Sequence, residues 1–258
     1  MNIIHTIILA AIEGITEFLP VSSTGHLILI SKILQIPESD FVKSFEIFIQ
    51  LGAIMAVVSL YMKRLIKEPA LLRPTVIAFI PTGLLGVLFY KLIKTYLLGN
   101  DIVVVTALVV VGAALIALEW YWVAHPAGSS KTILTLNTKS LLTIGLFQSL
   151  SMVPGVSRSA ATIVGGMLSG LKRKEAVEFS FFLAVPTMAA ATGLDLLKSA
   201  RSFTLPEIST LMLGFVISWI TALFVIKAFI RFVAHATFTN FGIYRILAGL
   251  FYWVMMTV

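Results

Sequence analysis

Long, nearly unbroken apolar runs dominate the chain, at about 46–62, 75–92, 102–122, 177–194 and 207–226, with a closing run near 243–258. Each approaches the roughly 20 residues a helix needs to cross about 30 Å of hydrocarbon. The runs are continuous, whereas the strands of a transmembrane barrel would alternate over segments of about ten residues. The pattern therefore predicts an all-α integral membrane protein. Trp120, Tyr121, Trp122, Tyr252 and Trp253 fall near run ends, where an interfacial aromatic belt belongs.

Two regions break this pattern. In residues 1–36 the apolar run is cut by Glu13, Glu17, Pro20 and the string Ser22-Ser23-Thr24-Gly25-His26. In residues 141–171 it is cut by Gln148, Ser149, Ser151, Pro154, Gly155 and Ser157-Arg158-Ser159. Each region is a short apolar piece, a proline-centred polar break and a second short apolar piece. Non-helical backbone survives at membrane depth only where protein or a water-filled cavity covers it. Both regions thus read as re-entrant helix pairs facing an interior site.

The two breaks also resemble each other. Setting Pro20 on Pro154 places PVSSTGH against PGVSRSAAT with a small gap, and FEIFIQLGA (45–53) beside VEFSFFLAVP (177–186). Glu46 follows Pro20 by 26 residues and Glu178 follows Pro154 by 24. Paired interruptions of this kind point to an internal repeat with a shared site near the midplane. The expected organisation is one transmembrane domain, 1–258, with repeats at about 1–122 and 141–258.

Composition supports the membrane assignment. Of the 258 residues, 59% are hydrophobic and 12% charged, against about 25% charged in soluble domains. The net charge of +7 sits in short clusters between apolar runs: Lys63, Arg64 and Lys67; Lys91 and Lys94; Lys172, Arg173 and Lys174; Lys227 and Arg231. Such clusters fit loops held at anionic headgroups, and no basic soluble region exists to bind nucleic acid. The absence of cysteine excludes disulfides, thiolate metal sites and a cysteine nucleophile. MNIIHTIILAAIEGITEF has no basic start and carries two glutamates, which argues against a cleaved signal peptide.

The chemistry concentrates at the breaks. Glu13 and Glu17, four apart on a helix, share one face with Cβ atoms about 5–6 Å apart. Away from bulk water two carboxylates cannot both stay charged unaided. One keeps its proton, or a cation or arginine sits between them. Mg²⁺ would fit, since it needs only one or two protein carboxylates with phosphate oxygens. Ser22, Ser23, Thr24 and His26 follow at once. Simple N-capping accounts for one hydroxyl, not for three beside a histidine. Such a cluster can attack phosphorus or hold phosphate oxygens. Arg158, flanked by Ser157 and Ser159 with Thr162 one turn on, needs an anion, and its fork matches phosphate oxygens. The alternative partner is Glu13 or Glu17. His5, His125 and His235 read as interfacial or loop residues.

EGITEFLPVSSTGH (13–26) and PGVSRSAATIVGGM (154–167) resemble the two signature regions of the undecaprenyl-diphosphate phosphatase family, the bacitracin-resistance proteins BacA or UppP. FEIFIQLGA and EFSFFLAVP are also similar to family segments. The resemblance implies an inner-membrane enzyme that removes the terminal phosphate of undecaprenyl diphosphate, recycling the carrier lipid for cell-wall synthesis. It further implies an inverted repeat, a site opening to the periplasmic face, a homodimer and dependence on a divalent cation (Mg²⁺ or Ca²⁺). It places catalytic roles on Glu13, Glu17, Ser23, His26 and Arg158. Phosphate contacts fall to Ser22, Ser157, Arg158, Ser159 and Thr162, to which the hydroxyl cluster itself adds Thr24, and the carboxylate pair assigns metal ligation to Glu13 and Glu17.

Two other readings meet the same residues. A second lipid-phosphatase class uses Lys-x6-Arg-Pro and Ser-Arg-x5-His-x3-Asp motifs. Here Lys67 to Arg73-Pro74 has the wrong spacing and order, and no His-x3-Asp follows Arg158. A broken-helix transporter or flippase for a polyprenyl phosphate shares the architecture. The crowding of Ser23, His26, Glu13 and Glu17 favours bond cleavage, because transport needs no general base. The basic stretch Lys63, Arg64, Lys67 and Arg73 is expected on the cytoplasmic side.

Overall fold

A computed structural model of the chain describes residues 1–92, 96–97, 100–124, 131–199, 203–233 and 237–257. Among them are ten α-helices: α1 (Ile3–Thr16), α2 (Ser23–Ile33), α3 (Asp40–Lys67), α4 (Leu72–Leu92), α5 (Asp101–Ala124), α6 (Thr138–Ser149), α7 (Arg158–Leu168), α8 (Arg173–Ser199), α9 (Leu205–Val233) and α10 (Thr239–Thr257). His125, His235 and Lys94 lie outside the described residues.

Each of the first five apolar runs lies within a helix that outruns it. Hydropathy marks only the lipid-facing stretch, whereas caps and charged turns set the ends. Helix α3 begins six residues before its apolar run because Ser39 caps it, its Oγ accepting the Val42 N–H at 3.2 Å. Among the described residues five helices are long and apolar enough to cross a membrane: α3, α4 with the 3₁₀ turn before it, α5, α8 and α9. The closing helix α10, 19 residues long and carrying a fully buried Arg245, is not among them.

Side chains such as Val87 (78% exposed) and Phe224 (70%) stand on open faces. In water this apolar surface would be a severe liability; in lipid it is the expected exterior. Inside, α8 is central, packing against α7, α3, α4 and α9, while α5 pairs with α10 and α3 with α9. The short helix α1 lies against α9, and α6 lies correspondingly against α4. Glycines permit both approaches: a Cβ on Gly14 would meet the Ser218 carbonyl of α9 at 2.6 Å, and one on Gly145 the Ala78 carbonyl of α4 at 2.1 Å. Glu119 of α5, almost fully buried, ties three helices by accepting from Arg173 at 2.5 Å and from the Phe238 N–H at 3.1 Å.

The two broken regions have matching local geometry. Helix α1 gives way to residues 17–22 and then α2; α6 gives way to a 3₁₀ turn, Leu150–Met152, and then α7. Both second helices have 11 residues and a serine N-cap in the left-handed region, Ser22 at φ 74° and Ser157 at φ 78°. Non-glycine residues enter that region at a cost. Each serine answers it with the same capping bond, Ser22 Oγ accepting from Gly25 N–H (3.4 Å) and Ser157 Oγ from Ala160 N–H (3.2 Å).

Candidate active site

The breaks meet at Glu17. As the C-cap of α1 it is held by its own N–H, which donates to Glu13 O at 2.9 Å. Its buried carboxylate accepts Ser23 Oγ–H on Oε2 at 2.5 Å and Arg158 Nη2–H on Oε1 at 2.7 Å. Ser23 and Arg158 are the first residues of α2 and α7. One carboxylate is thus gripped from both breaks at once.

Arg158 is fixed further by α8. Its Nη1 donates to the Ser180 carbonyl at 2.9 Å and to Ser180 Oγ at 3.1 Å. Thr162 shares a 2.6 Å hydroxyl contact with Ser180 and donates to Arg158 O at 2.9 Å. The guanidinium sits 5.6 Å over the Phe18 ring, itself braced edge-on by Phe181 at 5.3 Å. Its Nε is buried with no partner among the described residues, so one donor stays uncommitted while Glu17 is held.

Glu13 is fully buried, and no donor among the described residues reaches either of its oxygens. Its charged neighbours are Glu17, Glu46 of α3 and Arg158. Among the described residues no group of three or more His, Cys, Asp or Glu side chains gathers to hold a metal ion.

The remaining residues named from sequence divide into two sets. Ser157 and Ser159 hydroxyls touch at 3.0 Å, and Ser159 Oγ donates to Leu19 O at 2.7 Å, lacing one break to the other. Ser22 is occupied by its cap, and Thr24 is half-buried on α2. His26 faces away from Ser23: its Nδ1 donates to Ser22 O at 2.7 Å and its Nε2 meets the Tyr244 hydroxyl at 2.6 Å. In the neutral ring the carbonyl forces the proton onto Nδ1, so Nε2 accepts from Tyr244. His5 is at the exposed start of α1, bonded to Asn2.

Sequence reasoning did not single out Ser180, Phe18, Tyr244 or Arg245. Arg245 is fully buried and donates to carbonyls in both breaks. A charge inside the closing apolar run was the available signal for it.

These features define a class: a polytopic membrane protein whose water-poor centre joins two broken helix pairs through a buried arginine–carboxylate–serine cluster. The chain belongs to the bacitracin resistance protein BacA family, whose model matches residues 6–251. It is 52% identical over 248 residues to the undecaprenyl-diphosphatase of Aquifex aeolicus, covering 96% of each chain. It is 46% identical over 254 residues to that of Wolinella succinogenes, covering 98% of this chain and 97% of the relative. With that of Sulfurihydrogenibium sp. it shares 48% over 254 residues, covering 98% and 99%.

Proposed function

We propose that the chain is an undecaprenyl-diphosphate phosphatase of the bacterial cytoplasmic membrane. It hydrolyses undecaprenyl diphosphate to the monophosphate carrier and inorganic phosphate, and so confers the bacitracin resistance in the family's name. Full-length relatives of this identity carry that activity in their names. The observation that carries the mechanism is the 2.5 Å contact from Ser23 Oγ to Glu17 Oε2, with Arg158 on the other oxygen.

In this reading Ser23 Oγ attacks the terminal phosphorus and its proton passes to Glu17 Oε2. The bond from that phosphorus to the bridging oxygen breaks, and undecaprenyl phosphate leaves. Water then attacks the phosphoserine phosphorus as its bond to Ser23 Oγ breaks; Glu17 returns its proton to Ser23, and the proton that water loses leaves with the phosphate or to solvent. Arg158 offers its free Nε to phosphate oxygens as charge shifts. The hydroxyls of Ser22, Thr24, Ser157, Ser159 and Thr162 line or brace the approach, and His26 acts from the rim with Tyr244.

A divalent cation, Mg²⁺ or Ca²⁺, fits Glu13, whose two oxygens have no donor, better than Glu17, whose oxygens are both taken. When bound there it would neutralise phosphate charge, its remaining ligands coming from substrate oxygens and water.

The same reading includes an internal repeat, α1–α5 against α6–α10. Exchanging the halves turns the α1–α9 contact into α6–α4 and α3–α9 into α8–α4, and returns α5–α10 and α3–α8 to themselves. If α1–α2 and α6–α7 are re-entrant and α10 crosses despite its buried arginine, each half crosses the membrane three times, so the halves lie inverted. The breaks then open to the periplasmic face, opposite the basic Lys63–Arg73 stretch, and the family resemblance extends the reading to a homodimer.

The test is phosphate release from undecaprenyl diphosphate by purified protein, beside Ser23→Ala. Turnover that falls by several orders of magnitude in the variant is expected. A parent that releases no phosphate but moves the lipid across vesicles is a transporter, and the reading fails.

A further inference from the structure

Arg245 of α10 is fully buried, yet no carboxylate among the described residues pairs with it. Its hydrogen bonds all go to backbone carbonyls. Nη1 donates to Pro20 O at 3.1 Å, and Nη2 donates to Gly155 O at 2.6 Å and to Ala107 O of α5 at 3.4 Å. Pro20 and Gly155 lie outside any helix, so neither carbonyl has a helical N–H to satisfy it. Pro20 stands three residues before Ser23, and Gly155 three before Arg158. One guanidinium therefore spans the two breaks just upstream of the strained serines Ser22 and Ser157.

We infer that Arg245 is a positioning residue: it clamps the two break segments together and thereby sets Ser23 and Arg158 on their common carboxylate. The capping bonds of Ser22 and Ser157 are internal to each break and cannot fix one break relative to the other. Ser159 to Leu19 is a side-chain link between them, but in the second break it starts beyond Ser157, whereas Arg245 holds both chains before their left-handed serines. Arg245 fixes the chain before each strained residue, where an error would rotate the first residue of the following helix. The planar fork is needed for this, because it offers donors along two directions at once. A lysine ammonium is a compact point donor on a flexible stem and would settle on one carbonyl.

The catalytic consequence rests on the phosphatase reading; the structural one does not, and the experiment reads both. Arg245→Lys is compared with the parent in detergent by phosphate release and by amide hydrogen exchange, well below the unfolding temperature. A displacement of about 1 Å at reacting groups costs on the order of 100-fold in rate. The expected result is a kcat about 100-fold lower with KM within about threefold. Exchange should accelerate at least about tenfold in peptides spanning 17–26 and 153–160 while α3 and α9 are unchanged. A folded variant with kcat within about threefold of the parent, or unchanged exchange in those peptides, overturns the proposal. A large rise in KM with kcat retained also overturns it, since Arg245 would then serve as an anion-binding charge. If the parent releases no phosphate, the phosphatase reading fails and the exchange result alone decides the clamp. Should Arg245→Lys not accumulate, Arg245→Gln and Arg245→Met are read in the same way. If all three fail while Ser180→Ala accumulates, Arg245 serves assembly and the proposal is wrong.

Discussion

Glu17→Gln tests the centre of the site most directly. Both carboxylate oxygens accept donors, Ser23 at 2.5 Å and Arg158 at 2.7 Å. Glutamine keeps one acceptor and turns the other into a donor. Facing that donor to Arg158 would oppose two N–H groups, so the amide oxygen must take Arg158 and the NH₂ must face Ser23. Ser23 Oγ then becomes an acceptor, and its proton has no base. Losing a general base typically costs 10²–10⁴-fold, or about 3–5 kcal/mol of barrier. We expect kcat near the middle of that range, about 10³-fold down.

Stability should fall less than for a buried ion pair simply cut, which costs about 3–5 kcal/mol. Arg158 keeps its hydrogen bonds to Ser180 and gains one to the amide oxygen. A loss of no more than about 3 kcal/mol follows. KM should not rise, because the substitution removes negative charge from a site that receives a polyanion. Phosphate release and thermal unfolding in detergent, on one preparation, measure all three quantities. A Glu17→Gln protein within about tenfold of parental kcat would refute the assignment of Glu17 as proton acceptor.

Three further outcomes are expected. Arg158→Lys keeps the charge but cannot span Glu17 and Ser180 together; kcat/KM should drop about 100-fold or more with the fold intact, and a stable, fully active variant would show that Arg158 merely neutralises a carboxylate. Glu13→Gln replaces a fully buried carboxyl group that no donor among the described residues reaches with a neutral group of the same shape, so thermal stability should hold, while the Mg²⁺ concentration for half-maximal activity should rise about tenfold; an unchanged Mg²⁺ requirement would remove Glu13 from the cation site. Lys67→Cys, exposed at the end of α3 in a chain without cysteine, should resist a membrane-impermeant thiol reagent added outside intact cells, and rapid labelling would reverse the proposed orientation.

The membrane helices were legible in sequence because continuous hydropathy over about 20 residues has few other physical solutions. Their ends were not, since a cap such as Ser39 extends a helix through residues that carry no apolar signal. The breaks were legible for the converse reason: proline, serine and charge inside an apolar run demand local compensation. What the pattern left open was the partner of each charge. Arg158 required an anion, with Glu13 and Glu17 both eligible. The structure pairs it with Glu17, 141 residues away, a choice made by helix packing. Ser180 and Arg245 were harder still. A serine in a membrane helix is ordinary, and an arginine satisfied by carbonyls announces no partner in one dimension.

The placement of Glu13 and Glu17 is itself a problem that the fold must solve. They occupy the last turn and cap of α1, where the helix dipole is negative and a cation would be the natural neighbour. Helix α1 carries no basic residue in that turn. The compensation arrives from elsewhere, through Arg158 and the positive N-terminal ends of α2 and α7, whose first residues both bond Glu17. Each helix terminus is worth only about 0.3–1 kcal/mol when exposed, but more in a water-poor setting. Two serine-capped turns of matching geometry thus converge on one carboxylate. At their matching first positions one supplies a hydroxyl and the other a guanidinium. A symmetric pair could neutralise Glu17 equally well. In the proposed mechanism only the unequal pair can offer a nucleophile on one side of a phosphate and a cation on the other, which would account for two breaks that differ at Ser23 and Arg158 while keeping Ser22 and Ser157 alike.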